Sequence, residues 1–253
     1  MSSPTPRPRA LALLPLAVAA FGAVLAAQTI GHDPRSAVPL LAFAALLLAP
    51  AFVGRLRMRR LLLSGDVERV IAAWEGSILR VPHSETVVPL LRATAYAAYG
   101  SIEAARRALS RAAAAKGPAW EAALEQRLFV ETLLDTFEGD RETATRKAEA
   151  LQALPMGKGS LLARRRMALL RRGLAALARA FAHASRAGDA ELLGRAAAAS
   201  PLVHWAMRYA EAVVAVDSGR AREVPALLTG APQWPRGSAF HAYHEELIAR
   251  ATS

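Results

Sequence analysis

The sequence predicts an all-α chain in two parts: a two-helix transmembrane hairpin within residues 1–60 and a domain of repeated helical hairpins over 61–253. Three observations carry this. Two long uncharged apolar runs stand near the start, with only six residues between them. After Leu61, apolar residues recur at three- and four-residue spacing in a background of Ala, Leu, Arg and Glu, with no convincing alternating strand pattern. Glycine-centred turn signals interrupt that helical pattern at intervals of 31 to 49 residues.

The first run, Ala10–Ile30, has 21 residues without a charge. As a helix it spans roughly 31 Å at about 1.5 Å per residue, close to the hydrocarbon thickness of a bilayer. The second, Ala37–Val53, has 17. A cleaved signal peptide has an apolar core of only about 7–15 residues, and a soluble helical pair would need a polar face that neither run has. Membrane helices tolerate residues such as Pro15, Pro39 and Pro50. Ala19, Ala23 and Ala27, with Gly22 and Ala26, and Ala45 and Ala49, place small residues at the four-residue spacing that lets two helices approach closely.

Arg7 and Arg9 precede the first run; Arg55, Arg57, Arg59 and Arg60 follow the second; the connecting loop offers only Asp33 and Arg35. Basic residues near span ends stay on the cytoplasmic side. Both termini and the soluble domain are therefore expected to be cytoplasmic. The dominance of Ala, Leu and Arg is the bias of a GC-rich bacterial genome, which makes the membrane a bacterial inner membrane.

Five turns punctuate the remainder: Ser64-Gly65-Asp66, Tyr99-Gly100-Ser101, Glu138-Gly139-Asp140, Ala187-Gly188-Asp189 and Ser218-Gly219-Arg220. A glycine ends one helix in the left-handed conformation, and an adjacent Asp or Ser caps the next. Further breaks fall at Pro82, Gly117-Pro118, Pro155 to Gly159, Pro201 and Gly230 to Gly237. The best unit runs Ala93, Tyr96, Gly100, Ala105, Leu109, Ala112, then Gly117-Pro118; the next keeps Ala144 and Pro155. This spacing of small residue, aromatic, turn glycine, alanine, large apolar residue and alanine resembles the tetratricopeptide repeat. The match covers about 85–155 as a motif and 60–230 as an architecture. The resemblance implies an α-solenoid that presents its surface to peptides or helices of other proteins, without a cofactor.

The net charge is +11, and residues 1–60 hold seven Arg against one acid. Between Glu149 and Asp189 there is no acid at all, while Lys158, Arg164, Arg165, Arg166, Arg171, Arg172, Arg179 and Arg186 are present. Met167, Leu170, Leu174, Leu177 and Phe181 form an apolar stripe on the same predicted helix, and Arg165, Arg172 and Arg179 recur every seven residues on another face. Such a surface suits an anionic leaflet, an acidic protein partner or a phosphate backbone, and it also describes a plain solvated helix face. Nucleic acid is the least expected of these, because no binding motif or aromatic platform accompanies the charge.

No cysteine is present, which excludes disulfides, thiolate metal sites and a Cys nucleophile. Met156-Gly157-Lys158-Gly159-Ser160 lacks the first glycine, the hydroxyl residue and the preceding strand of a phosphate loop. His241 and His244 share a helical face with Glu245 but match no zinc motif and have no third ligand, so aromatic packing of a terminal helix with Phe240 and Tyr243 is expected there. Trp74, Trp120, Trp205 and Trp234 are expected in the core or between repeats. No catalytic, metal or cofactor-binding residue is assigned. The expected function is a membrane-anchored, non-catalytic interaction or scaffold module with an unidentified protein partner. The alternatives are a small-ligand sensor or enzyme and a self-assembling structural protein that forms homo-oligomers.

Overall fold

A computed structural model describes residues 52–78, 83–115, 117–157 and 159–252, and every regular element among them is helical. The chain divides into two units between Arg60 and Leu61. In the first unit, residues 52–60 are helical. Arg7, Arg9 and the two apolar runs lie outside the described residues, apart from Phe52 and Val53. Among the described residues no helix is long and apolar enough to cross a membrane.

The second unit holds α1 (Val67–Ile78), α2 (Ser84–Ala98), α3 (Ile102–Ala114), the short α4 (Pro118–Ala122), α5 (Leu124–Glu138), α6 (Arg141–Ala153), α7 (Leu161–Phe181), α8 (Asp189–Ala199), α9 (His204–Asp217), the one-turn α10 (Val224–Leu227) and α11 (Ala239–Thr252). Local chemistry sets the ends. The Asp66 carboxylate accepts from the Arg69 N–H at 3.1 Å, Asp140 from Thr143 at 3.1 Å, and the Ser160 hydroxyl from Ala163 at 3.2 Å, each satisfying an N–H that the first helical turn leaves free. Gly139, at φ 85°, closes α5: its N–H reaches the Thr136 carbonyl and the next N–H reaches Asp135, the paired 5→2 and 6→1 bonds that need a left-handed residue. Gly100 and Gly219 close α2 and α9 in the same way.

The turn after α7 differs from expectation. Its left-handed closing residue is His183, at φ 54°, whose N–H reaches Ala180 while the Ala184 N–H reaches Arg179. Gly188 instead precedes α8 as its N-cap. A left-handed histidine costs about 1–2 kcal/mol, and its Nδ1 lies 3.0 and 2.9 Å from the two Asp217 carboxylate oxygens at the end of α9. The strain is thus offset by a contact that a glycine could not make. The fifth hairpin also departs from expectation: after Gly219 only a 3-10 turn and α10 form, because Gly230, at φ 79°, and the ring nitrogens of Pro232 and Pro235 stop a longer helix.

Within hairpins, small residues set the spacing. Ala93, Ala97, Ala105 and Ala112 are fully buried between α2 and α3, and Ala144 and Ala148 meet Ala175 and Ala178 between α6 and α7. The first helices of successive hairpins pack on each other, α2 on α5, α5 on α7 and α7 on α9; the second helices bridge forward, α6 on α7 and α8 on α9. Polar ties cross the same seams. The buried Asp135 on α5 takes Arg106 from α3 at 2.7 Å and Lys147 from α6 at 2.7 Å. Residues 231–252 then run back over the stack as a strap that ends in α11.

Two outcomes follow from this packing. At Gly173 a Cβ would stand 2.6 Å from the Ala196 Cβ of α8, whereas at Gly194 the nearest atom is at the far end of a flexible side chain, the Glu211 carboxylate, at 3.3 Å. Helix propensity favours Ala over Gly by about 1 kcal/mol at both, but overpacking costs about 1–3 kcal/mol where backbones must move. Gly173→Ala should therefore lower the urea midpoint and Gly194→Ala should raise it; the same sign for both would contradict the packing. The second concerns Asp189, buried at the start of α8. Burial raises its pKa, but the Arg179 guanidinium and the Arg186 N–H outweigh burial and hold it below the ordinary 3.8. A depressed carboxylate contributes stability that is complete above the unfolded-state value and is lost as pH falls through the lower folded value. The stability gap between the parent and Asp189→Asn should be constant from neutral pH down to about 5 and should narrow below 3.8, read by denaturant unfolding at each pH.

Candidate functional site

The site begins with a buried cation. Arg171, in the middle of α7, is 2% exposed. Its Nε donates to Glu125 at 3.0 Å, its Nη1 to the Leu154 carbonyl at 2.5 Å, and its Nη2 to the Pro155 carbonyl at 3.3 Å. One side chain thus joins the first turn of α5, the end of α6 and α7. The planar fork of arginine suits this threefold tie. Arg171 therefore belongs to the interior, not to a basic surface. Arg179 is also committed inward, with Nε 3.0 Å and Nη2 2.6 Å from the Asp189 carboxylate.

Beside Arg171 lies an apolar groove of about 430 Å³. Phe129 of α5, Met167 and Leu170 of α7, and Leu202 and Val203 before α9 line it, with Thr94 of α2 at one side. Gln126 donates to the Thr94 hydroxyl at 2.9 Å, and that hydroxyl donates to the Leu90 carbonyl at 2.8 Å, so these polar groups are bonded to each other. The Arg171–Glu125 pair leaves the groove close to neutral.

Beyond the groove α7 projects. Residues 161–167 are all exposed, with Leu161 at 65%, Leu162 at 80% and Met167 at 40%. Arg164, Arg165 and Arg166 lie in this stretch, and none of the three makes an ion pair among the described residues. Arg172 is exposed too, its Nε 3.4 Å from the Ala168 carbonyl of its own helix. Of the eight basic residues in the acid-free segment, Lys158 lies outside the described residues. The other seven are divided: three consecutive arginines at a projecting helix end, Arg172 on the flank, Arg171 and Arg179 turned inward, and Arg186 exposed in the turn before α8. Sequence periodicity missed the burial of Arg171 because its partner, Glu125, lies 46 positions earlier. Arg55, Arg57, Arg59 and Arg60 are exposed on the helix of the first unit.

A second cavity of about 310 Å³ is lined by Thr136, Phe181, His183, Asp217, Tyr243 and Arg250, among others. His183 faces Asp217 at 2.9 Å and Arg250 pairs with Glu246 at 2.5 Å, while Arg141, also in the lining, makes no ion pair among the described residues. Burial pushes the Tyr243 phenol up to about 12. His244 takes part in the packing of the strap, its Nδ1 3.0 Å from the Tyr209 hydroxyl, and His241 faces Glu245 at 3.7 Å. Among the described residues no group of three metal-ligating side chains forms. Trp120 lies under the Arg127 guanidinium at 4.0 Å, a cation–π contact at the start of α5, and Trp74 packs against the core. Compared with family models, curated proteins and solved structures, the chain matches none.

Arg171 sets the path of the chain from α6 into α7. Removing it leaves Glu125 without its partner and two carbonyls unbonded, a loss of about 3 kcal/mol for a partly buried pair. Arg171→Ala should lose about that much in urea unfolding, and cleavage by a nonspecific protease between Leu154 and Ser160 should accelerate. Arg171→Lys keeps the charge but not the fork and should fall between the two. Parent-like proteolysis in Arg171→Ala would show that the loop is held by something else.

Proposed function

We propose that this chain is a membrane-anchored, non-catalytic interaction module of a bacterial inner membrane. In this reading the apolar runs 10–30 and 37–53 form the anchor and the tetratricopeptide-like domain stands on the cytoplasmic side. The observation that carries it is the open apolar groove of about 430 Å³ beside Arg171. Its lining comes from α5, α7 and the approach to α9, so a helix or extended segment laid across it would touch successive hairpins, as binding to helical-repeat proteins requires. Thr94, Gln126, Glu125 and Arg171 in its lining already have side-chain partners, which favours an apolar-faced protein segment over a polar small molecule. The resemblance of the Ala93–Ala112 unit to the tetratricopeptide repeat supports the same role. An anchor raises the local concentration near any membrane-bound partner, so a modest affinity suffices.

The test places a photo-reactive phenylalanine analogue at Phe129 of the full-length protein in its native membranes. The expected result is a discrete crosslinked protein that disappears when Leu170→Asp is introduced into the groove. Capture of this chain alone would favour the self-assembling alternative, and the absence of any protein adduct would sink the interaction reading. A reporter fused after Ser253 should be active on the cytoplasmic side; activity only in the periplasm would overturn the topology.

A further inference from the structure

We propose that the projecting end of α7 is a second, separate contact: a tip that docks the domain onto the anionic lipid headgroups of a membrane leaflet. It does not rest on the groove or on the anchor. Leu161 and Leu162 stand at the extremity, 65% and 80% exposed, an arrangement that leaves most of their surface in water. Arg164, Arg165 and Arg166 follow immediately. Three consecutive helical residues fan out by about 100° each, so the three side chains spread over about 200° of the helix circumference rather than lie along one line. A groove or helix of another protein would engage one or two of them and leave the rest in water. A bilayer approached end-on engages all three. The arginines lie about 5 Å along the helix from the two leucines at about 1.5 Å per residue, and interfacial helices bury their apolar groups about 5–10 Å below the headgroups. Leucines in the acyl boundary and arginines among the phosphates fit that depth.

The helix dipole adds to this. Cations at a helix N-terminus are unfavourable in water, and α7 carries no acid in its first turn to relieve them. Glu125, which lines a pocket with Arg164, is held by Arg171. An anionic surface offsets both the dipole and the three arginines, and each arginine near such a surface strengthens attachment about fivefold.

The absence of cysteine makes the test direct. Leu162→Cys in the full chain, labelled with an environment-sensitive fluorophore, is reconstituted in vesicles of phosphatidylcholine alone or of equal parts phosphatidylcholine and phosphatidylglycerol. The expected result is a blue-shifted emission, quenched by spin-labelled lipid, in the anionic vesicles only. The same label at Ser218→Cys, on the exposed turn after α9, should stay water-like in both. High salt, with a screening length of about 3 Å at 1 M, should reverse the shift. Replacing Arg164, Arg165 and Arg166 together by Gln should lower the docked-to-free ratio on the order of a hundredfold; these side chains are exposed and make no ion pair among the described residues, so the fold does not depend on them.

A water-like Leu162→Cys probe in both vesicles would overturn the proposal. So would an equal response in neutral vesicles, an equal response at Ser218→Cys, or shielding seen only in native membranes, which would mean that a protein covers the tip. The vesicles also separate this from the anchor: flotation of the chain with neutral vesicles reports the anchor, and the probe's response to phosphatidylglycerol reports the tip.

Discussion

The stack of hairpins is closed by one aromatic seam, and its centre is Trp234. Its ring meets Tyr99 from the end of α2, Trp205 and Tyr209 from α9, and Phe240 from α11 at 4.9 to 6.4 Å between centroids. The seam continues through Phe240 to Phe137 of α5, and from there to Phe181 of α7 and Tyr243 of α11. Edge-to-face pairs of this kind add about 0.5–1.5 kcal/mol each beyond burial. The polar tips are also used: the Trp234 indole donates to the Tyr209 hydroxyl at 2.7 Å, Tyr243 donates to the Phe137 carbonyl at 3.1 Å, and Ser238 donates to the Tyr99 carbonyl at 2.7 Å. Helical hairpins that touch only their neighbours hold together by a chain of local contacts. Here the last segment touches hairpins far from it in sequence, so the stack behaves as one body.

That closure explains two glycines twice over. A Cβ on Gly65 would stand 2.5 Å from Pro232, and one on Gly100 would stand 3.0 Å from the Ser238 hydroxyl and 3.3 Å from the Ala239 nitrogen. Both residues turn the chain left-handed, and both leave room for the strap to lie on the turn; the Gly100 carbonyl then accepts from the Ala239 N–H at 2.9 Å. The strap also secures the entry to the domain. The Leu62 and Leu63 carbonyls, left free where a helix ends, accept from the Tyr99 hydroxyl at 2.7 Å and the Trp205 indole at 3.0 Å, and both of those rings pack on Trp234.

Helix class and most turns were legible in the sequence, because 3.6-residue periodicity, glycine turns and Asp or Ser caps are local signals. What was not legible depends on contacts distant in sequence. Nothing near His183 says that it will close α7 in place of a glycine; its support, Asp217, is 34 residues away. The sequence shows the strap only as a terminal helix, since tryptophan spacing does not say which rings meet. In the candidate site the basic run was legible, but its division into buried and exposed arginines was not, because that rests on Glu125 and Asp189 and on where α7 leaves its neighbours.

That last point is one of length. α7 has 21 residues, while the helices beside it, α6, α8 and α9, have 13, 11 and 14. Its fully buried stretch begins only near Arg171, so the excess of about two turns is mostly exposed. A helix end with little tertiary support is marginal in water, and two leucines mostly exposed at its tip gain little there. The tie from Arg171 to Leu154 and Pro155 nevertheless fixes the direction in which that end points. The same arginine therefore separates two surfaces: on one side the neutral apolar groove, open to a protein segment, and on the other a cationic, leucine-tipped end whose chemistry suits a charged interface. The two surfaces share no residue except Met167, which stands between them, so occupancy of one as proposed would not obstruct the other.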